Sequence, residues 1–321
     1  MTRISRRDFV VGASAFAASV AAARPAAAAD VVRMGYIADF NGSSLAAIAT
    51  DQNLWTGQGL QPDLKVFTNG PIQIQAFASG SLDFGYVGPG ALWLPASGRA
   101  KVIAINNLGQ ADRVIAQAGN RTMADLKGKK VGVPEGTSGD MLLRLALRKQ
   151  GMSVNDVELI RMDPSTVVTA FASRQVDAAG LWYPLVGVIR ERVPDLVELA
   201  KNVDFFPQIA FPTAFVAGND VADALSRKVI AVLKLANSFR AANLEASIAI
   251  TSKFIGISAD KLAVEVANSK FLTTAELEAA AADGTAAGWL STMNAMFKEF
   301  GRLPEPLDPK AYFRADLYRA D

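Results

Sequence analysis

One stretch of this chain occurs twice, and the repetition limits what it can fold into. Residues 75–83 read QAFASGSLD and lead into the apolar run 84–87. Residues 169–177 read TAFASRQVD and lead into 178–182. Each copy reads as the end of a helix, a short turn and a buried strand. Upstream, each half opens on a strand, 33–37 and 130–133. A turn follows each, Ala38 to Ser44 and Pro134 to Asp140, and then a helix. Second strands are expected at 64–67 and 157–160. Second helices start at Asn69-Gly70-Pro71 and Asp163-Pro164-Ser165, with Pro where the first helical turn tolerates it. Each half therefore reads β-α-β-α-β.

Alternating strands and helices imply a parallel sheet covered on both faces, because a parallel crossover needs a helix. Ligands of such sheets sit beyond the C-terminal ends of the strands. Two lobes facing each other would place four helix N-termini, near Ser43, Pro71, Ser138 and Ser165, around one volume. Unpaired amides and the positive end of each helix suit an anion there. The turn before the leucine-rich helix at 142–147 offers Thr137, Ser138 or Asp140 as the N-cap. No Lys follows Gly139, so this is not a phosphate-binding loop of the GxxxxGK type.

Single residues carry two readings. Asp39 is a helix cap or a ligand contact, and Trp182 is core or cleft wall. Arg113 reads as a solvated surface residue. Asp83 and Asp177, which recur in both copies, read as structural turn residues.

The chain has neither cysteine nor histidine. That excludes disulfides, thiol nucleophiles, Cys/His zinc sites and Ser-His-Asp triads; no metal or cofactor is expected. Without a histidine, ligand binding is expected to vary little with pH. Residues 1–29 carry a twin-arginine pattern at Ser5 to Val10, an apolar stretch from Val11 to Ala23, and an A-x-A end at Ala27 to Ala29. This pattern predicts a cleavable export signal and a periplasmic destination. The leader holds four arginines and one Asp. Of 33 basic and 31 acidic residues it leaves 29 and 30, a net charge near −1. No basic stripe points to nucleic acid.

The lobes are expected at 30–117 plus 210–321 and at 118–209. The chain crosses near Gly109 to Asp112 and returns through Phe211 to Ala217. After Asp220 the pattern is mostly helical, and those helices would pack on lobe one.

In order, RMGYIADFNGSS, AFASGSLDFGYVGPG, DLKGKKVGVPEGTSGD, FASRQVDAAGLWYPL and a helical tail follow the leader. This series resembles the periplasmic substrate-binding proteins of ABC importers for sulfonates, taurine and nitrate. The resemblance implies a type II periplasmic-binding-protein fold: α/β, two lobes with mixed, mainly parallel sheets and a cleft between them. It also implies a monomer that delivers a small organic anion, foremost an aliphatic or aromatic sulfonate, to permease and ATPase subunits, without catalysis. Nitrate, a thiamine-precursor-like heterocycle, or reporting to a membrane sensor are the alternatives. The ligand contacts it implies are Asp39, Phe40 and Asn41 after the first strand, Gly88, Pro89 and Gly90 after the third, and Thr137, Ser138 and Gly139 at the second lobe's helix. Gly70 at a helix start, Trp182 and Tyr183 beside the cleft, Asp112 as partner of a ligand amine, and Thr213 at the return crossing complete the set. Thr213 is uncharged, which speaks against taurine itself.

Overall fold

The structure, a computed structural model, describes residues 29–319. The expected leader falls outside these residues except for Ala29. Among the described residues no helix is long and apolar enough to cross a membrane.

Among the described residues eleven strands form two sheets. They are β1 (Asp30–Ile37), β2 (Leu60–Phe67), β3 (Phe84–Val87), β4 (Lys101–Gly109), β5 (Asp112–Ala116), β6 (Lys130–Val133), β7 (Glu158–Arg161), β8 (Ala178–Trp182), β9 (Val197–Lys201), β10 (Pro212–Ala217) and β11 (Ser269–Lys270). The first sheet has the order β11-β4-β10-β3-β1-β2, the second β7-β6-β8-β5-β9. In each, the three strands of the repeated unit are parallel: β1 lies between β2 and β3, and β6 between β7 and β8. The strands that carry the chain between sheets, β5 and β10, are antiparallel to their neighbours. The sheets are therefore mixed.

Strand β5 lies within the residues expected for lobe one, yet it pairs with β8 and β9 in the second sheet. The chain passes from the first sheet to the second at Gln110 and Ala111, between β4 and β5. Residues Arg113 to Ala116 are buried on both faces, and such a strand is stable only with a partner on each edge.

The recurring aspartates have the same task in both copies. Asp83 accepts from the Arg33 amide at 3.1 Å, and Asp177 from the Lys130 amide at 2.9 Å. In return the Asp83 and Asp177 amides donate to the carbonyls of Arg33 and Lys130, each at 2.8 Å. Each aspartate staples the turn before one strand to the start of its neighbour, as a structural residue does.

The helices Asp223–Ala242, Thr274–Ala282 and Thr285–Glu299 contribute Val229, Leu233, Leu277, Leu290 and Met293 to the first sheet's core. The helix Ser138–Lys149 serves both cores. Leu142, Leu143 and Leu147 face its own sheet, whereas Met141 and Leu145 join the first lobe's cluster. Nine of its twelve residues are buried because it lies between the lobes.

Candidate functional site

A cavity of about 40 Å³ opens at the C-terminal ends of β1, β3 and β8 and at the two crossings. Three helix starts reach it. The helix Phe40–Asp51 brings Asp39 and Asn41, the helix Gly70–Ala78 brings Asn69 and Gly70, and the helix Ser138–Lys149 brings Thr137 and Ser138. The fourth expected start, at Pro164, does not line it. That helix follows β7, the outermost strand of its sheet. Gly70 reaches the cavity because a bare backbone fits against Val87 and Ala91; an added Cβ would lie 3.1 Å from both.

Ten of the fourteen expected contacts share this wall: Asp39, Asn41, Gly70, Gly88, Pro89, Asp112, Thr137, Ser138, Trp182 and Thr213. The other four are placed elsewhere. Phe40 is fully buried beneath the wall, edge-on to Phe271 with ring centres 5.5 Å apart. Gly90 lies against the second lobe, where an added Cβ would come within 2.2 Å of the Thr137 carbonyl. Gly139 faces β8, with an added Cβ 2.3 Å from the Gly180 oxygen. Tyr183 turns away from the cavity. Its ring lies 5.3 Å from the Arg113 guanidinium, and its hydroxyl donates to Glu198 at 3.1 Å. Alternation along an extended chain sends Trp182 and Tyr183 to opposite sides.

The electrostatics differ from the expectation. Among the described residues no Lys, Arg or His lines the cavity, but two buried carboxyls do. Asp39 is a helix cap and a cavity residue at once, accepting from the Gly42 amide at 2.6 Å. Burial pushes its carboxyl up to about 7, against the Gly42 amide and the Trp182 side chain, which both favour the charged form. Asp112 is held by Asn202, which donates to its carboxylate at 2.9 Å and accepts from its amide at 2.8 Å. Burial pushes Asp112 up to about 6, with Ser138, Asn202 and Arg113 opposing. Taking a carboxylate out of water disfavours its charged form. The expected pH-independence rested on the lack of histidine alone, whereas burial raises these two carboxyls towards neutral pH.

The nearest guanidiniums are engaged elsewhere. Arg113 is buried, not solvated. It donates to Glu198 at 3.0 Å and to the Gln110 and Asp112 carbonyls at 2.9 and 2.7 Å. It also reaches across to Asn268, beside the first sheet. Arg240, fully buried, donates to Ser44, the Asn106 carbonyl and Asn237, and lies over Phe271.

The helix starts themselves are unequal. At Phe40–Asp51 the Phe40 and Asn41 amides donate to the two oxygens of Glu265, at 2.7 and 2.8 Å, and Gly42 donates to Asp39. At Ser138–Lys149 no side chain caps the first amides among the described residues. Sequence reasoning did not single out Glu265, Asn202 or Tyr86. Tyr86 stood within a quoted segment and lines the cavity. Glu265 sits in a short helix, Ala259–Ala267, with no motif around it.

Across the lobes, Arg302 donates to Asp140 at 2.9 Å and pairs with Glu135 at 3.3 Å. The Trp93 indole donates to the Gly136 carbonyl at 3.3 Å. These contacts hold the turn before Ser138 against the first lobe.

Comparison with known proteins adds the following. The family described as NMT1/THI5 like matches residues 44–224. A protein of Brucella abortus (strain 2308), named provisionally as a binding protein, is 59% identical over 293 residues, 90% of this chain and 92% of its own. A protein of Escherichia coli (strain K12), named provisionally as aliphatic sulfonates-binding, is 29% identical over 212 residues, covering 61% and 63% of the two chains. Among solved structures, the alkanesulfonate-binding protein SsuA from Xanthomonas axonopodis pv. citri bound to MOPS superposes with a TM-score of 0.69 at 22% identity, over 91% of this chain and 99% of that one. The fold is the two-lobed periplasmic-binding-protein fold.

Proposed function

This chain belongs to the NMT1/THI5-like family, and from that premise we propose that it is the solute-binding component of an ABC importer, acting in the periplasm. Its ligand is a small organic oxyanion of the sulfonate type that also carries a positively charged nitrogen. The observation that carries this reading is the composition of the cavity wall: two buried carboxyls, one uncapped helix start, one indole and no basic side chain. The oxyanion sits at the amides of the Ser138 helix, where donors and helix dipole favour it. The nitrogen sits between Asp39 and Asp112, and Trp182 supplies an apolar wall that also suits a cation. The crossings at Gln110–Ala111 and between β9 and β10 act as the hinge.

Nitrate and a plain alkanesulfonate fit less well, since nothing in them answers the two carboxyls. A heterocycle with amidine-like N–H donors is the second reading, and the same pair of carboxyls favours it. The relatives are named for binding, and the role proposed here is capture and delivery to a permease and ATPase, not catalysis.

The test is calorimetry on the mature protein with taurine, ethanesulfonate, nitrate and an aminopyrimidine. Taurine or a larger aminosulfonate is expected to bind at least tenfold tighter than ethanesulfonate. Tighter binding of ethanesulfonate or nitrate overturns the charge assignment. Binding of the aminopyrimidine alone selects the heterocycle. Co-purification with a sensor domain in place of a permease would overturn the transport role.

A further inference from the structure

Glu265 lies outside the cavity, and the ligand reading above does not use it. It is 1% exposed and sits in a helix 224 residues along the chain from the loop it serves. Both of its oxygens are engaged by consecutive first-turn amides, Phe40 at 2.7 Å and Asn41 at 2.8 Å. That is how a helix start holds a free oxyanion. With Gly42 donating to Asp39, all three amides that open this helix meet carboxylates, and the Ser43 amide already donates to the Asp39 carbonyl as the helix ladder begins.

We propose that the Glu265 carboxyl is an internal acceptor that occupies lobe one's oxyanion site and so denies that site to a ligand anion. It acts as a positioning and specificity residue, without touching the ligand. Its first consequence is subtraction: no amide of the Phe40 helix start remains for a sulfonate, which leaves the Ser138 helix as the uncapped start. Its second is placement. By holding the Asn41 amide, with Ser269 and Asn107 gripping the Asn41 side chain, it fixes the loop that presents Asp39 to the cavity. Burial raises the Glu265 carboxyl well above the ordinary carboxylate range, against the Asn41 and Phe40 amides, so it acts as an acceptor and not through net charge.

The inference deepens the ligand reading but is tested apart from it. In the Glu265→Ala variant of the mature protein two buried amides lose their acceptor. The variant is expected to melt lower than wild type, and formate, at concentrations that leave wild type unchanged, is expected to restore at least half of the loss. A variant that melts like wild type, or one that formate raises no more than it raises wild type, overturns the proposal, because a residue needed only for packing is not replaced by a small free carboxylate. Should Glu265→Ala fail to fold, the Glu265→Gln variant, which keeps the volume and one acceptor, carries the test. It sets an N–H2 donor against one of the two amides, so it is expected to melt lower than wild type, and an unchanged melting temperature overturns the proposal. If wild type binds neither taurine nor ethanesulfonate, the ligand reading fails while the formate arm still decides the role of Glu265.

Discussion

The helix starts at Phe40 and Ser138 occupy equivalent places in the two halves of the molecule. Each follows the first strand of a β-α-β-α-β unit, each opens a helix of twelve residues, and each borders the same cavity. Their amides meet opposite environments. Those of the Phe40 helix are closed by Glu265 and Asp39; those of the Ser138 helix have no side-chain cap among the described residues. A helix start is therefore an offer of positive potential, and a carboxylate supplied from elsewhere in the chain decides whether a ligand can take it up. Each lobe contributes one carboxyl to the cavity, Asp39 from the first and Asp112 from the second, and only the second adds an α-helix start with no side-chain cap among the described residues, although the sequence builds both by one pattern.

The strongest way to break this contrast is to hold the two starts apart. In Gly90→Val the new Cβ meets the Thr137 carbonyl within 2.2 Å and the Ser138 amide nitrogen at 2.4 Å. Backbone has no rotamer with which to yield, so the lobes must separate. Ligand affinity is expected to fall by more than about 100-fold, the loss of several charge-assisted contacts, while small-angle scattering shows a larger radius of gyration. Unchanged scattering and affinity would mean that the lobes do not need this contact.

A smaller and more selective effect is expected from Asp39→Asn. The amide oxygen still caps Gly42, but the charge is gone. Taurine affinity should fall roughly 30-fold, about 2 kcal/mol for a buried charge-assisted bond, and ethanesulfonate affinity should not fall. Equal losses for both probes would place Asp39 in the scaffold and not in charge recognition.

The pH profile sharpens the same point. Both carboxyls are raised from an ordinary 3.8, to about 7 for Asp39 and about 6 for Asp112. A group raised in the folded state binds its proton more tightly there than in the unfolded chain. Its contribution to stability is full below about pH 4 and is lost as pH rises towards 7. The ligand-free protein is thus expected to melt highest in mild acid and several degrees lower at pH 8, with Asp39→Asn flattening the slope. A cationic ligand displaces these protons, so its affinity should rise between pH 5 and 8, with proton release visible as a buffer-dependent enthalpy. An affinity for taurine that falls over this range would contradict the assignment.

The smallest effect belongs to Arg302→Ala. It removes the bond to buried Asp140 and the weaker pair with Glu135, both across the lobes. The Arg302 side chain is 19% exposed, and Asp140 keeps Arg144 and the Gly136 amide as partners. A loss of affinity of about three- to tenfold is expected, equal for every ligand, since this contact holds the helix start in place and does not read charge. A loss confined to one probe would assign Arg302 a part in selectivity.

Much of the architecture was legible because it is local. The AFAS repeat, the Pro-marked helix starts and the apolar runs follow from backbone geometry within ten residues or so; the candidate contacts came from the family resemblance, and ten of them line the cavity. Phe40, Gly90, Gly139 and Tyr183 were misplaced for a shared reason. Adjacency in sequence put them next to wall residues, but the direction of a side chain, or a close approach by another backbone, assigned each to packing. Arg113 was read as solvated because a lone arginine usually is. Its burial depends on Glu198 and Asn268, which lie 85 and 155 residues away.

The sequence by itself determined the duplicated α/β unit, the strand ends where a ligand would collect, and the absence of thiol and imidazole chemistry, because each is a property of residue type or short-range periodicity. The tertiary structure alone decided the sign of the site. Whether an amide is free, and whether a carboxyl holds its proton at neutral pH, depends on which groups from distant segments are packed against it and how completely water is excluded, and neither is written in any short stretch of chain.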